Sequence, residues 1–453
     1  MYWEGYSSSC DLPHSKRRFM KRAYILSAVR ISIPLFVIWL INSLEPALAG
    51  GPSHVKHSFS KPVATLGDMR LSRVNYKEIT PHHREPYLPN LERINLSFRS
   101  GSRVLASVPQ FSSKFAGKFA AISQNRDFVF FTLDPEAQRL VTSIVSTTAA
   151  PHVAVVVLNP SDGKIIAMAE KSPTLPHAAL HADYPAASLF KVITGAAAIE
   201  HMGVSSRSII KFRGGNYTLG LGNFSPDTRR DNRVMFVGEA MGKSCNPVFG
   251  RLALQLPSHQ ALYKKGLNFG FNNPLFFQLP LDESSAFIPA NLYQLSRTGA
   301  GFGDVSLSPV HAAAIMGSLA SDGLLKSPQI IEKIISPNGD IVFRGAPRVL
   351  GKVVGESTRR ELLNMMVHTT SSGTSSRSFK SLKKLKNSPY LIPGKTGTLS
   401  GNNPKGLTTW FIGTNVPNGR SRGELAVAVV TVGAKNSTAR ASGVAARVMA
   451  GML

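Results

Sequence analysis

Two features of the sequence predict an α+β fold, an antiparallel sheet covered by helices with an all-helical insertion. Strand-like apolar runs joined by turn residues occur at both ends of the region 128–453, and helical stripes separated by Gly-rich and Pro-rich loops lie between them. A hydrophobic fraction of 43% supplies a core for such a fold. The two cysteines, Cys10 and Cys245, make no disulfide framework, so stability has to come from packing.

Taken in order, the chain first shows Lys16, Arg17, Arg18, Lys21, Arg22 and Arg30, with the uncharged run Ile31 to Leu44 behind them. This is the positive-then-apolar order of an export signal. Ala47-Leu48-Ala49 offers a small-x-small cleavage site; alternatively, Ile25 to Leu44 spans a bilayer as an uncleaved anchor, with Arg30 snorkelling to the interface. Residues 1–49 are therefore expected to be a signal peptide or a membrane anchor, and the remainder to work outside the cytoplasm. Residues 50–127 are rich in His, Pro, Ser, Lys and Arg and poor in acids, which predicts a basic, loosely structured stalk. His54, His57, His82 and His83 read there as solvated basic loop rather than metal ligands.

Ordered structure is expected from Phe128 to Leu133, a strand, followed by Asp134-Pro135, an N-cap and first-turn proline for a helix with Leu140, Val141, Ile144 and Val145 on one stripe. Val153 to Leu158 and Lys164 to Ala169, joined through Asn159-Pro160-Ser161-Asp162-Gly163, predict a β-hairpin. Leu189 to Ile199 reads as a buried helix and Gly238 to Leu254 as another. Gly299 to Gly303 is a turn ahead of Ser308-Pro309 and a helix from Val310 to Leu319. It is not a nucleotide loop, because no strand precedes it and no Lys-Ser or Lys-Thr follows. A helix from Ser357 to Val367 ends in the loop Thr369 to Thr374. Strands then follow at Tyr390 to Thr398, Thr409 to Val416 and Glu424 to Val432, and Ala439 to Met452 closes as a helix.

The formal charge of +26 points to a polyanionic partner. Zinc spacing, an RNA-binding aromatic box and a basic heptad region are all missing from the sequence, so nucleic acid is not the expected partner. Anionic lipid head groups or cell-wall polymer suit an exported chain better.

Three short boxes carry chemistry. In Ser188-Leu189-Phe190-Lys191 the serine sits at a helix mouth and the lysine three residues on shares its face, so the amine can take the hydroxyl proton. For that the amine has to be neutral, as burial and a second cation would make it. Backbone N–H groups at the helix start can meet developing negative charge. Ser244-Cys245-Asn246 lies within the second helix, where Cys245 is expected to pack as a small apolar group. Lys395-Thr396-Gly397, followed by Thr398, lies on a strand. Each alone reads as ordinary helix or strand surface. His177 and His181 stand one turn apart without a third ligand, so no metal site is expected.

In combination, Ser-x-x-Lys, Ser-x-Asn and Lys-Thr-Gly resemble the penicillin-binding protein transpeptidase domain and its β-lactamase relatives, a set of motifs described for those enzymes. The resemblance extends over about residues 128–453 and includes Thr132 to Gln138, Gly303 to Gly323 and Trp410-Phe411-Ile412-Gly413. It implies a five-stranded sheet and a serine acyl-enzyme formed on D-Ala-D-Ala stem peptides of peptidoglycan, with β-lactams as covalent ligands and no cofactor. It implies Ser188 as nucleophile, Lys191 as base and Ser244 as proton relay. Asn246 would hold the substrate amide, Lys395, Thr396 and Thr398 its carboxylate, and Gly397 would let the acyl chain approach. Ser188 and Thr398 would supply oxyanion-hole N–H groups. The implied location is the outer face of a bacterial cytoplasmic membrane or the periplasm. The stalk is short for a glycosyltransferase domain, which implies a separate glycosyltransferase partner. Two alternatives stay open: a D,D-carboxypeptidase or β-lactamase, for which Glu283 is the candidate water-activating carboxylate, and a β-lactam-binding sensor.

Overall fold

The structure is a computed structural model that describes residues 101–106, 119–122 and 127–453. Three short strands come first: β1 (Gly101–Ala106), β2 (Ala120–Ile122) and β3 (Phe128–Phe131). Helix α1 (Pro135–Thr147) starts where its cap requires. Asp134 Oδ1 accepts from the amides of Glu136 (3.0 Å) and Ala137 (2.8 Å), and Pro135 stands in the first turn, which has no amide partner to lose. Strands β4 (His152–Leu158) and β5 (Ile165–Ser172) form the expected hairpin. Helix α2 (Lys191–Met202) follows a 3-10 turn, Ala187–Phe190.

The helical insertion contains α3 (Val237–Gly242), α4 (Asn246–Gln255), α5 (His259–Asn268), α6 (Leu292–Gly299) and α7 (Pro309–Ala320). Beyond it come β6 (Ile331–Ile335), β7 (Ile341–Arg344) and α8 (Glu356–Ser371). The chain closes with β8 (Gly394–Asn402), β9 (Lys405–Thr414), β10 (Ala426–Val432) and α9 (Ala441–Met452).

The central sheet runs in the order β1-β5-β4-β10-β9-β8, antiparallel throughout. Five of these strands are the expected sheet, and β8, which carries Lys395-Thr396-Gly397, forms one edge of it. Because successive side chains point to opposite faces, β4 divides its valines between two cores. Val156 and Leu158 join Ile315, Met316 and Leu319 of α7, while Val155 and Val157 join Val141 and Val145 of α1 and Val444 and Val448 of α9. Both faces are covered, so the strand is a continuous apolar run rather than an alternating one.

Several boundaries differ from the sequence reading. Part of the stretch read as stalk is sheet: β1 pairs with β5, Leu105 opposite Glu170, and β2 pairs with β3. The β1-β5 pairing is long-range, β2 and β3 are neighbours along the chain, and strands this short leave no periodic trace among basic residues. Phe128–Phe131 is a strand as expected, but it belongs to a separate four-stranded sheet, β7-β6-β3-β2. The expected helix Gly238 to Leu254 is two helices with a break at Lys243–Cys245. Helix α8 runs on to Ser371, three residues into the expected loop. Residues 1–49 lie outside the described residues, among which no helix is long and apolar enough to cross a membrane.

Candidate active site

The Ser188 turn is held from both sides. The Trp410 indole on β9 donates to Pro185 O (2.9 Å) and meets the Tyr184 ring edge-on at 5.7 Å, while Ala186 N donates to Val305 O (2.9 Å). Ala187 is driven to φ +50°, an uncommon conformation for a residue with a Cβ. The close neighbour on its far side is Gly301, where a Cβ would stand 2.3 Å from Ala187 O. Only glycine fits there. Ser188 is thus presented half-buried, directly ahead of α2.

Lys191, in the first turn of α2, is fully buried. Its Nζ lies 2.6 Å from Ser188 Oγ, 2.8 Å from Asn246 Oδ1 and 2.5 Å from Ala300 O. Burial holds its pKa well below the usual lysine value, and the nearby Lys395 lowers it further. A neutral amine has two N–H donors. The two carbonyl oxygens can only accept, so they take both, and the lone pair is left facing the serine hydroxyl. The arrangement can therefore remove a proton from Ser188.

The second box sits in the break between α3 and α4. Cys245 N donates to Ala240 O (2.8 Å) and Asn246 N to Asn216 O (2.6 Å), which turns Ser244 to φ +54°. Helix α4 then restarts with Pro247 in its first turn. Lys395, on β8, is fully buried and donates to Ser244 Oγ (2.9 Å) and Thr396 O (2.8 Å). Burial pushes its pKa down to about 7. The Asn246 side chain frames the site: Oδ1 accepts from Lys191 and Nδ2 donates to Tyr217 O (2.7 Å). Cys245 is fully buried, free and part of the hydrophobic core.

Strand β8 passes directly over the Ser188 turn. A Cβ on Gly397 would meet Ala187 Cβ and Trp410 Cβ at 3.2 Å and Ala186 O at 3.3 Å, so glycine here lets the sheet edge close on the turn. All three boxes thereby line one cleft of about 470 Å³: Ser188, Ser244 and Asn246 on one side, Thr396, Gly397 and Thr398 on the other. Both lysines stand behind these walls. Residues that no motif flagged complete the lining: Tyr217, Phe302, Thr374, Arg440 and Ser442. The Thr374 hydroxyl contacts that of Thr396 at 2.6 Å. These residues come from loops and helix ends, and only convergence in space gathers them.

Glu283 is exposed and does not line this cleft. His181 Nδ1 lies 2.9 Å from Asp282 Oδ2, and His177 lies beside Glu170. Among the described residues no group of three or more His, Cys, Asp or Glu side chains is placed to hold a metal.

A family model for the penicillin binding protein transpeptidase domain matches residues 153–452. Among relatives, the peptidoglycan D,D-transpeptidase PbpA of Mycolicibacterium smegmatis is 26% identical over 249 residues, 47% of this chain and 50% of that protein. The chain spans about half the length of the curated relatives it matches. Among solved structures, the D,D-transpeptidase domain of a peptidoglycan glycosyltransferase from Eggerthella lenta aligns with a TM-score of 0.59 at 21% identity, covering 72% of this chain and 82% of that one. Penicillin-binding protein A of M. tuberculosis, solved as an imipenem acyl-enzyme complex, aligns with a TM-score of 0.57 at 22% identity, covering 71% and 79%. These likenesses establish the fold.

Proposed function

Because the chain belongs to the penicillin-binding protein transpeptidase family, we propose that it is a serine D,D-transpeptidase acting on the D-Ala-D-Ala stem peptides of peptidoglycan, and that it binds penicillin covalently. The observation that carries this reading is the Lys191 amine, buried, short of protons and turned by two carbonyl acceptors toward Ser188 Oγ. In the reaction Ser188 Oγ bonds to the carbonyl carbon between the two D-alanines while Lys191 takes the hydroxyl proton. The C–N bond then breaks. Ser244, fed by Lys395, passes a proton to the leaving D-alanine amine. An acceptor amine next attacks the ester carbon and gives up its proton through Ser244 to Lys395, and as the C–O bond to Ser188 breaks the serine oxygen takes back the proton held by Lys191. The N–H groups of Ser188 and Thr398 carry the oxyanion, Asn246 contacts the stem amide, and the Thr396 and Thr398 hydroxyls meet the terminal carboxylate.

Among the described residues no carboxylate lines the cleft, so the glutamate that would activate water in a β-lactamase has no counterpart beside the acyl group, which disfavours that hydrolase. The working place in this reading is the outer face of the cytoplasmic membrane or the periplasm, with residues 1–49 as signal or anchor, residues 128–453 as the catalytic domain and glycan polymerisation left to a glycosyltransferase partner.

The test uses the full-length chain and a fluorescent penicillin. Wild type becomes covalently labelled and Ser188→Ala does not; labelling of Ser188→Ala that survives denaturation would refute the assignment. Incubation with a stem pentapeptide and a D-amino acid, followed by mass analysis, separates transfer from hydrolysis. An exchanged peptide supports transfer, and loss of D-alanine alone identifies a carboxypeptidase.

A further inference from the structure

We infer that Arg440 is the cation that holds the substrate's terminal carboxylate in the cleft, and that it selects carboxylate-bearing peptides and β-lactams over neutral ones. The inference rests on the transpeptidase reading and extends it to a residue outside the three boxes.

Hydroxyls, an amide and aromatic rings make up most of the cleft lining. Arg440 is the one cationic side chain among the described lining residues, and no carboxylate stands among them to oppose it. The two lysines of the boxes are poorly placed for this task. Both are fully buried and neither lines the cleft. Lys191 faces Ser188, Asn246 and Ala300, and Lys395 donates to Ser244 Oγ and to Thr396 O. Their charge acts through the walls, whereas a carboxylate in the cleft needs a donor it can touch.

The backbone of Arg440 is fixed in the right place. Ala441 N donates to Thr409 Oγ1 (3.1 Å), and Arg440 O accepts from the amides of Gly443 (2.9 Å) and Val444 (3.1 Å) as α9 begins. One residue further, the Ser442 hydroxyl contacts that of Ser375 at 2.8 Å, beside Thr374. Thr409 is the direct cross-strand partner of Thr398. Arg440 is therefore bolted next to the strand pair whose hydroxyls meet the carboxylate in the proposed reaction.

The guanidinium itself is unspent. Among the described residues, buried arginines are committed: Arg251 to Asp231, and Arg359 to Glu356 and two carbonyls. The Arg440 side chain is exposed and makes no hydrogen bond or ion pair with a described residue. A planar fork of N–H donors matches a carboxylate in two-pronged fashion, a geometry a lysine ammonium does not reproduce.

The experiment measures second-order acylation rates of the full-length chain with benzylpenicillin and with its methyl ester, in which the carboxylate is masked. Arg440→Gln is expected to lose about tenfold with the free acid, as a rise in the dissociation constant of the encounter complex, and under about twofold with the ester. Arg440→Lys recovers part of the loss. The ester rate also reports that the variants are folded. An unchanged rate with the acid, or an equal loss with acid and ester, overturns the inference while leaving the transpeptidase reading intact. Failure of wild type to react with either compound removes that reading itself, and this inference with it.

Discussion

Lys191 is a long polar side chain with no solvent contact, and its protonation state is set by which form its surroundings can tolerate. Desolvation disfavours the ammonium and the neighbouring Lys395 adds repulsion, so the amine is held toward its neutral form. Removing the amine removes the proton acceptor: Lys191→Ala is expected to slow penicillin acylation by roughly 10²- to 10⁴-fold, measured by stopped-flow with a fluorescent β-lactam. The pH dependence follows from the same pair. The neutral fraction of Lys191 grows as pH rises through its depressed pKa, whereas the protonated fraction of Lys395, the donor to Ser244, shrinks as pH rises through about 7. Acylation should therefore decline on the alkaline side of neutrality; a rate still climbing from pH 7 to 9 would contradict the role given to Lys395. The sequence made this pair legible through the spacing of Ser188 and Lys191 and the Lys-Thr-Gly box. It left Arg440 silent, because an arginine ahead of a helix has no characteristic spacing to any of them.

At the level of elements, the site depends on two places where the backbone leaves regular geometry, at Ala187 (φ +50°) and at Ser244 (φ +54°). The first is Gly301 against Ala187. A methyl group at Gly301 would stand 2.3 Å from Ala187 O and would also require an alanine at φ +90°. Gly301→Ala is expected to shift the Ser188 turn and cost at least about tenfold in acylation, with a loss of about 1–3 kcal/mol of stability, read by stopped-flow and chemical denaturation. Acylation at the wild-type rate would mean the turn tolerates the displacement. The second place is the break between α3 and α4. Apolar residues on both sides of it, Val237, Ala240, Met241, Val248 and Leu252, continue a helical stripe, so periodicity reads one helix where there are two. The overlooked signal was Pro247, which a helix accepts only in its first turn. By contrast, the α1 cap at Asp134-Pro135 and the β4-β5 hairpin were legible because local chemistry alone specifies them.

For the whole molecule, the cleft lies on a seam. The sheet edge, with α9 behind it, supplies one wall, and the turn ahead of α2 with the α3-α4 break supplies the other. An acyl group attached to Ser188 and lying along β8 would contact both walls and brace them. Penicillin treatment is therefore expected to raise the melting temperature of the full-length chain, at about 2–4 °C per kcal/mol of bracing. Calorimetry of wild type and Ser188→Ala, with and without the drug, checks this, and an equal shift in both proteins would point to binding elsewhere. The antiparallel sheet with its helical insertion was legible because hairpin-linked apolar runs flank helical stripes. The pairing of β1 with β5 was not, since partners so far apart in the chain leave no local mark. The α3-α4 break has one more consequence. Cys245 sits in it, fully buried, and Cys10 is the only other cysteine in the chain. In a Cys10→Ser background, a thiol-alkylating dye can capture a sulfur only when that joint springs apart. The rate of dye uptake then serves as an internal clock for how often the wall breathes, and for how far an antibiotic stills it.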